Sequence, residues 1–194
     1  MSFRGKMVLV TGAARSGKSS FAEKMAAFWG GKVIYIATCI PGDAEMRERV
    51  ALHQARRPDD WETVEEPFNP VKVIKEKDAP QHIFLLDCLT LLITNLILAC
   101  PREEAEEIVL QKVEELARVS YESAAPVVIV TNEVGWGIVP VDNLSRVYRD
   151  IAGRTNQIMA SYADEVYLTV AGIPVELKKL AGEMGKSDWN MAIE

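Results

Sequence analysis

"MVLVTGAARSGKS", residues 7–19, decides the fold. Its first half is an unbroken apolar run, as expected of a short strand buried on both faces. Its second half, Gly12-Ala13-Ala14-Arg15-Ser16-Gly17-Lys18-Ser19, reads G-x-x-x-x-G-K-S and opens a helical pattern over 16–29. Strand, glycine-rich turn and helix, in that order, are the context a phosphate-binding loop requires. Glycines let backbone N–H groups turn inward around phosphate oxygens, and the helix N-terminus adds positive potential. Lys18 would reach the β- and γ-phosphates as a point charge, and the Ser19 hydroxyl would ligate Mg²⁺. The competing reading is a glycine-rich turn with an incidental lysine, and the strand-to-helix context weighs against it.

Outward from this loop, apolar runs alternate with helical periodicity. The pattern predicts strands at 7–11, 32–38, 82–87, 126–133 and 165–172, with 174–178 returning as a hairpin. Helices are predicted at 16–29, 43–56, 89–99, 102–122 and 142–162. Gly30 and Gly31 end the first helix, Asp43 is placed to cap the second and Pro58 stops it. Such alternation predicts an α/β P-loop NTPase fold of the RecA-like, three-layer kind, a mostly parallel sheet covered by helices. Residues 1–180 read as one catalytic domain and 181–194 as an amphiphilic tail.

Composition narrows the function classes. Across 194 residues, 48% are hydrophobic and 26% charged, enough for a sizeable core. A net charge of −6 argues against a broad nucleic-acid surface. Three cysteines, Cys39, Cys88 and Cys100, lack metal-ligand spacing and a disulfide pattern, which points to a reducing, cytoplasmic setting. The N-terminus offers no signal peptide. Residues 83–100, "IFLLDCLTLLITNLILAC", imitate a membrane span but carry Asp87, which costs roughly 3 kcal/mol at mid-bilayer. They read instead as a buried strand running into a buried helix.

A P-loop needs a carboxylate for its metal. Asp87 ends the apolar strand "IFLLD", where that carboxylate belongs. It is also placed to cap the helix from Leu89, and the two roles are compatible. "TNEVGWGIVP", 131–140, follows a strand and falls at the carboxyl edge of the sheet, where ligands of open parallel sheets bind. Two glycines around Trp136 predict a shaped loop, either a ligand loop or a structural turn with a packed tryptophan. Arg146, Arg149 and Arg154 share one helix and suit phosphate, a second subunit or plain solvent. His53 falls on a stripe with Met46 and Val50, a pattern of half-buried packing. Yet Arg56 and Arg57 follow within a turn, and neutral imidazole is a competent nucleophile at phosphorus. Spacing alone leaves both readings open.

Taken together, several segments closely resemble the bifunctional adenosylcobinamide kinase / adenosylcobinamide-phosphate guanylyltransferase family of cobalamin biosynthesis. The matching pieces are "LVTGAARSGKS" (9–19), "VIYIAT" (33–38), His53 with "RPDDWETVEEP" (57–67), "LLDCLTLLITNL" (85–96), "VTNEVGWGIVP" (130–140), "YRDIAGRTNQ" (148–157) and "ADEVYLTVAGIP" (163–174). The resemblance implies two reactions: a nucleoside triphosphate, ATP or GTP, phosphorylates adenosylcobinamide, and GTP then transfers GMP to the resulting adenosylcobinamide phosphate. It implies a GMP–histidine intermediate on His53, the position matching the family's histidine. It also implies nucleotide contacts from Gly12 to Ser19, from Ala37, Thr38 and Cys39, from Gln54, Ala55, Arg56 and Arg57, and from Glu65 and Asp87, with a homotrimeric assembly. Two departures stand out. Many members carry paired histidines where this chain has Leu52 before His53, and the tail beyond about residue 179 is longer. A P-loop kinase of another small alcohol, and a non-catalytic nucleotide switch, are the alternatives the motif alone allows.

Overall fold

The protein is described by a computed structural model covering residues 4–55 and 57–182, with the backbone alone of Glu45, Met46, Arg49 and His53. Arg56 and residues 183–194, most of the expected tail, lie outside the described residues.

The chain begins with β1 (Met7–Gly12), α1 (Lys18–Phe28), β2 (Lys32–Ala37), α2 (Ala44–Gln54), β3 (Glu62–Glu65), α3 (Pro70–Lys77) and β4 (His82–Asp87). It continues through α4 (Leu89–Ala99), α5 (Ala105–Glu122), β5 (Val127–Val130), α6 (Asn143–Tyr162), β6 (Glu165–Val170), β7 (Ile173–Glu176) and α7 (Leu177–Leu180). One seven-stranded sheet runs β3-β2-β4-β5-β1-β6-β7. Its pairings are parallel from β3 through β6, and β7 returns antiparallel along β6 as the predicted hairpin.

The central strands are apolar along their middles because both sheet faces are covered. Their side chains divide by the two-residue period of a strand. Met7, Leu9, Ile34, Ile36, Phe84, Leu86, Val127 and Ile129 point into one core with α3, α4, α5 and α6. Val8, Val10, Val33, Tyr35, Ile83, Leu85, Val128 and Val130 point into the other, against α1. Phe84 is fully buried at the centre of the larger core, so its truncation to alanine would cost about 3–5 kcal/mol. Among the described residues, α2 enters neither core. Residues 83–100 are β4 and the buried helix α4, as the sequence predicts, and no described helix is long and apolar enough to cross a membrane.

Three elements were not foreseen. β3, "ETVE", alternates half-buried with exposed residues at the sheet edge, so it lacks the apolar run that marked the other strands. The helix α3 spans only 8 residues with Pro70 at its start, too short for a periodic signal. α7 is a 4-residue turn of helix held by Glu176, whose side chain accepts from the Lys178 and Lys179 amides. At the end of α1, Gly30 turns left-handed at φ 72°, as the paired glycines predicted.

Candidate active site

Parallel pairing brings the carboxyl ends of β1 to β6 to one edge. The register aligns Glu65, Ala37, Asp87, Val130, Val10 and Tyr167 in a single row across the sheet. Residues far apart in sequence therefore reach one rim, the usual ligand side of an open α/β sheet.

The phosphate loop occupies that rim between β1 and α1. Gly12 and Gly17 take φ 154° and 95°, and a side chain at Gly12 would sit 2.5 Å from the Thr169 carbonyl oxygen. The Gly172 amide donates to the Ser16 carbonyl at 2.8 Å, so the β6–β7 turn braces the loop from outside. Lys18 is buried and folds back over the loop, its ammonium donating to the Ala13 carbonyl at 3.2 Å. α1 begins with no acidic residue in its first turn, which leaves its positive N-terminal end unopposed for an anion.

Above the loop opens a cavity of about 320 Å³. Of the residues expected at a nucleotide site, Lys18, Ser19, Ala37, Cys39, Gln54, Arg57, Glu65 and Asp87 line it. Val50 and Gln54 bring α2 to its wall, so this projecting helix meets the site rather than the core. His53 lies on the same helix between them and its side chain is outside the described residues. Ala55 is exposed and does not line the cavity. Thr38 is fully buried behind the wall, where its hydroxyl donates to the Cys88 carbonyl at 2.7 Å and accepts from the Cys88 amide at 2.9 Å. That pair ties the end of β2 to the residue beside Asp87.

Asp87 is not the cap of α4: Cys88 holds that position, without a side-chain cap bond. The carboxylate faces the cavity with Ser19 and Lys18. Sequence reasoning missed Tyr35, which also lines it. Burial, then the charge of Asp87, holds the Tyr35 phenol protonated far above the ordinary tyrosine range. The Arg57 guanidinium covers the ring and donates to the Thr63 hydroxyl at 3.1 Å. A tyrosine inside an otherwise aliphatic strand was the available signal, since a buried phenol needs a polar partner. Burial, then the same Asp87 charge, pushes the Cys88 thiol up to about 11.

The segment after β5 joins the far wall. Asn132 lines the cavity and donates to the Thr90 hydroxyl at 2.7 Å. Tyr148 from α6, also unforeseen, closes that end, its phenol raised by burial. Beyond it Trp136 is 66% exposed and Ile138 97%, so the packed-tryptophan reading of this loop does not hold. Of the helix arginines, Arg146 donates to the Pro140 and Val141 carbonyls, Arg149 pairs with Asp150 and Arg154 with Glu106.

Known proteins bear on this geometry. An ATP synthase subunit, NeqB, from Nanoarcheaum equitans superposes with a TM-score of 0.51 at 10% identity, over 97% of this chain and 56% of its own, a likeness of fold alone. The bifunctional adenosylcobalamin biosynthesis protein CobP of Pseudomonas aeruginosa is 42% identical over 88% of this chain and 96% of its own length. The bifunctional adenosylcobalamin biosynthesis protein CobU of Escherichia coli is 40% identical over 89% and 99%. The family model for cobinamide kinase / cobinamide phosphate guanyltransferase matches residues 8–177. The chain belongs to the cobinamide kinase / cobinamide phosphate guanyltransferase family.

Proposed function

We propose that the protein phosphorylates adenosylcobinamide with a nucleoside triphosphate and then transfers GMP from GTP to the adenosylcobinamide phosphate, giving adenosylcobinamide-GDP. The observation that carries this reading is one cavity shared by two kinds of chemistry. Lys18, Ser19 and Asp87 stand on one wall, and α2, the helix of His53, stands on another.

In the first reaction the loop from Gly12 to Ser19 cradles the triphosphate. Lys18 neutralises charge growing on the transferred phosphoryl group. Ser19 and Asp87 are the residues that would hold Mg²⁺. Both offer hard oxygen donors to one cavity, and no described cluster of three or more His, Cys, Asp or Glu would cage a metal by itself. That donor set fits an ion that keeps most of its shell as water and phosphate oxygen. When bound, such an ion would supply charge neutralisation on the triphosphate.

In the second reaction neutral His53 attacks the α-phosphorus of GTP. The N–P bond forms as the bond to the pyrophosphate oxygen breaks, and pyrophosphate leaves with the electron pair. Arg57 and Arg56 offset the developing charge, while Gln54, Ala55, Glu65 and the Ala37–Cys39 segment hold the nucleotide. The cobinamide phosphate oxygen then takes GMP from the histidine. Splitting one displacement between two anions into two transfers is the usual gain of covalent catalysis.

We further read residues 1–180 as the catalytic domain, 181–194 as a tail, the assembly as a homotrimer and the setting as the cytoplasm. The test is assay of both half-reactions with adenosylcobinamide and its phosphate. Turnover of neither substrate refutes the reading, and phosphorylation without guanylyl transfer reduces it to a kinase.

A further inference from the structure

One carboxylate beside the phosphate cradle has no task in the scheme above. Glu133 follows β5, and β5 lies between β1, which carries the phosphate loop, and β4, which carries Asp87. Residues leaving β5 therefore emerge between the cradle and Asp87. The Lys18 ammonium rests on the Ala13 carbonyl at 3.2 Å, and a P-loop lysine serves the β- and γ-phosphates. The Gly12–Ala13 end is thus the γ-phosphate end. The Glu133 amide donates to the Gly12 carbonyl at 3.1 Å, so Glu133 borders that end.

Its carboxylate is already oriented. Oε1 accepts from the Thr11 hydroxyl at 2.8 Å and from the Asn156 amide nitrogen at 3.2 Å. Asn156 is itself fixed, accepting from the Thr131 hydroxyl at 2.7 Å and donating to the Asn132 carbonyl at 3.2 Å. Among the described residues no hydrogen bond or ion pair engages Oε2. The side chain is half-buried. A fixed anion bordering the γ-phosphate end and the phosphate itself repel each other. A hydroxyl donor seated between the two anions removes that conflict. Trp136, Ile138 and Val139 lie a few residues on and are exposed, which gives a large, partly apolar acceptor alcohol a surface to rest against.

We infer that Glu133 orients the acceptor alcohol of the kinase reaction and takes its proton. This rests on the functional reading above. The alcohol oxygen bonds to the γ-phosphorus, the bond from that phosphorus to the β–γ bridging oxygen breaks, and the nucleoside diphosphate leaves with the electron pair. The hydroxyl proton passes to Oε2 of Glu133 and then to solvent.

The test uses the full chain carrying Glu133→Gln, which keeps an oxygen to accept from Thr11 but cannot take a proton. The expected result is a fall in kcat for adenosylcobinamide phosphorylation of about 100-fold or more. The KM for the nucleotide, the GMP label on the protein and GMP transfer to supplied adenosylcobinamide phosphate stay within about threefold. A second variant, Thr11→Val, frees Oε1 and is expected to lower the kinase kcat by about 5–10-fold, with the same sparing of guanylyl transfer. Glu133→Gln with near-normal kinase kcat overturns the inference. So does an equal loss of both reactions in both variants, which would make Glu133 a brace for the loop. Wild-type protein that phosphorylates no adenosylcobinamide overturns the functional reading, and the inference falls with it.

Discussion

The Arg57 guanidinium carbon lies 3.4 Å from the centroid of the Tyr35 ring, and both residues line the cavity above the phosphate loop. The stack holds a cation on a stem that otherwise has only one described side-chain hydrogen bond, to Thr63. A cation–π contact of this kind contributes about 0.5–2 kcal/mol. Tyr35→Leu is therefore expected to weaken GTP binding by about 3–30-fold, as read by calorimetric titration. Tyr35→Phe keeps the ring and should bind GTP within about twofold of wild type. Equal loss in both variants would mean that the hydroxyl, rather than the stacked ring, matters.

Lys18→Ala should depress both half-reactions by about 100-fold or more, because one cradle holds the triphosphate in each. Steady-state rates with adenosylcobinamide and with its phosphate check this. An intact kinase rate in the variant would show that the loop is not the phosphate site.

Gly12 has room for no side chain. Gly12→Ala would set a methyl group 2.5 Å from the Thr169 carbonyl at φ +154°. A loss of about 1–3 kcal/mol in chemical denaturation, with weakened nucleotide binding, is expected. Gly135→Ala is the companion measurement, since a Cβ there meets nothing within 4 Å.

Thiol labelling reports on the cavity directly. Cys88 is buried and its thiol is raised to about 11, so at pH 8 it stands as the neutral thiol. A raised acid stays neutral until pH climbs towards its folded value, so Cys88 should resist iodoacetamide well past pH 8. Cys39 lines the cavity and should label. GTP should slow that labelling severalfold, as read by peptide mass spectrometry. Labelling of Cys39 that GTP leaves unchanged would place the nucleotide elsewhere.

The central sheet was legible because four buried strands are continuous apolar runs, and the phosphate loop because its glycines and lysine have fixed spacing. β3 was not, since an edge strand exposed along one side carries no such run. Asp87 was legible from its place at a strand's end, while its choice between capping α4 and facing the cavity needed the position of Cys88. Tyr35 was hidden inside "VIYIAT", where it counted as core. Its second nature appears only once Arg57, brought round by the chain beyond α2, covers its ring. The links from Glu133 to Thr11 and Asn156 join positions 122 and 23 residues apart in the chain, so no local pattern could reveal them.

The claim that α2 carries a covalent GMP is tested most directly with GTP labelled at the α-phosphate. Wild-type protein should acquire an acid-labile, base-stable label, and His53→Ala should acquire none while keeping appreciable kinase activity. A variant lacking His53 that still accumulates covalent GMP would contradict the account.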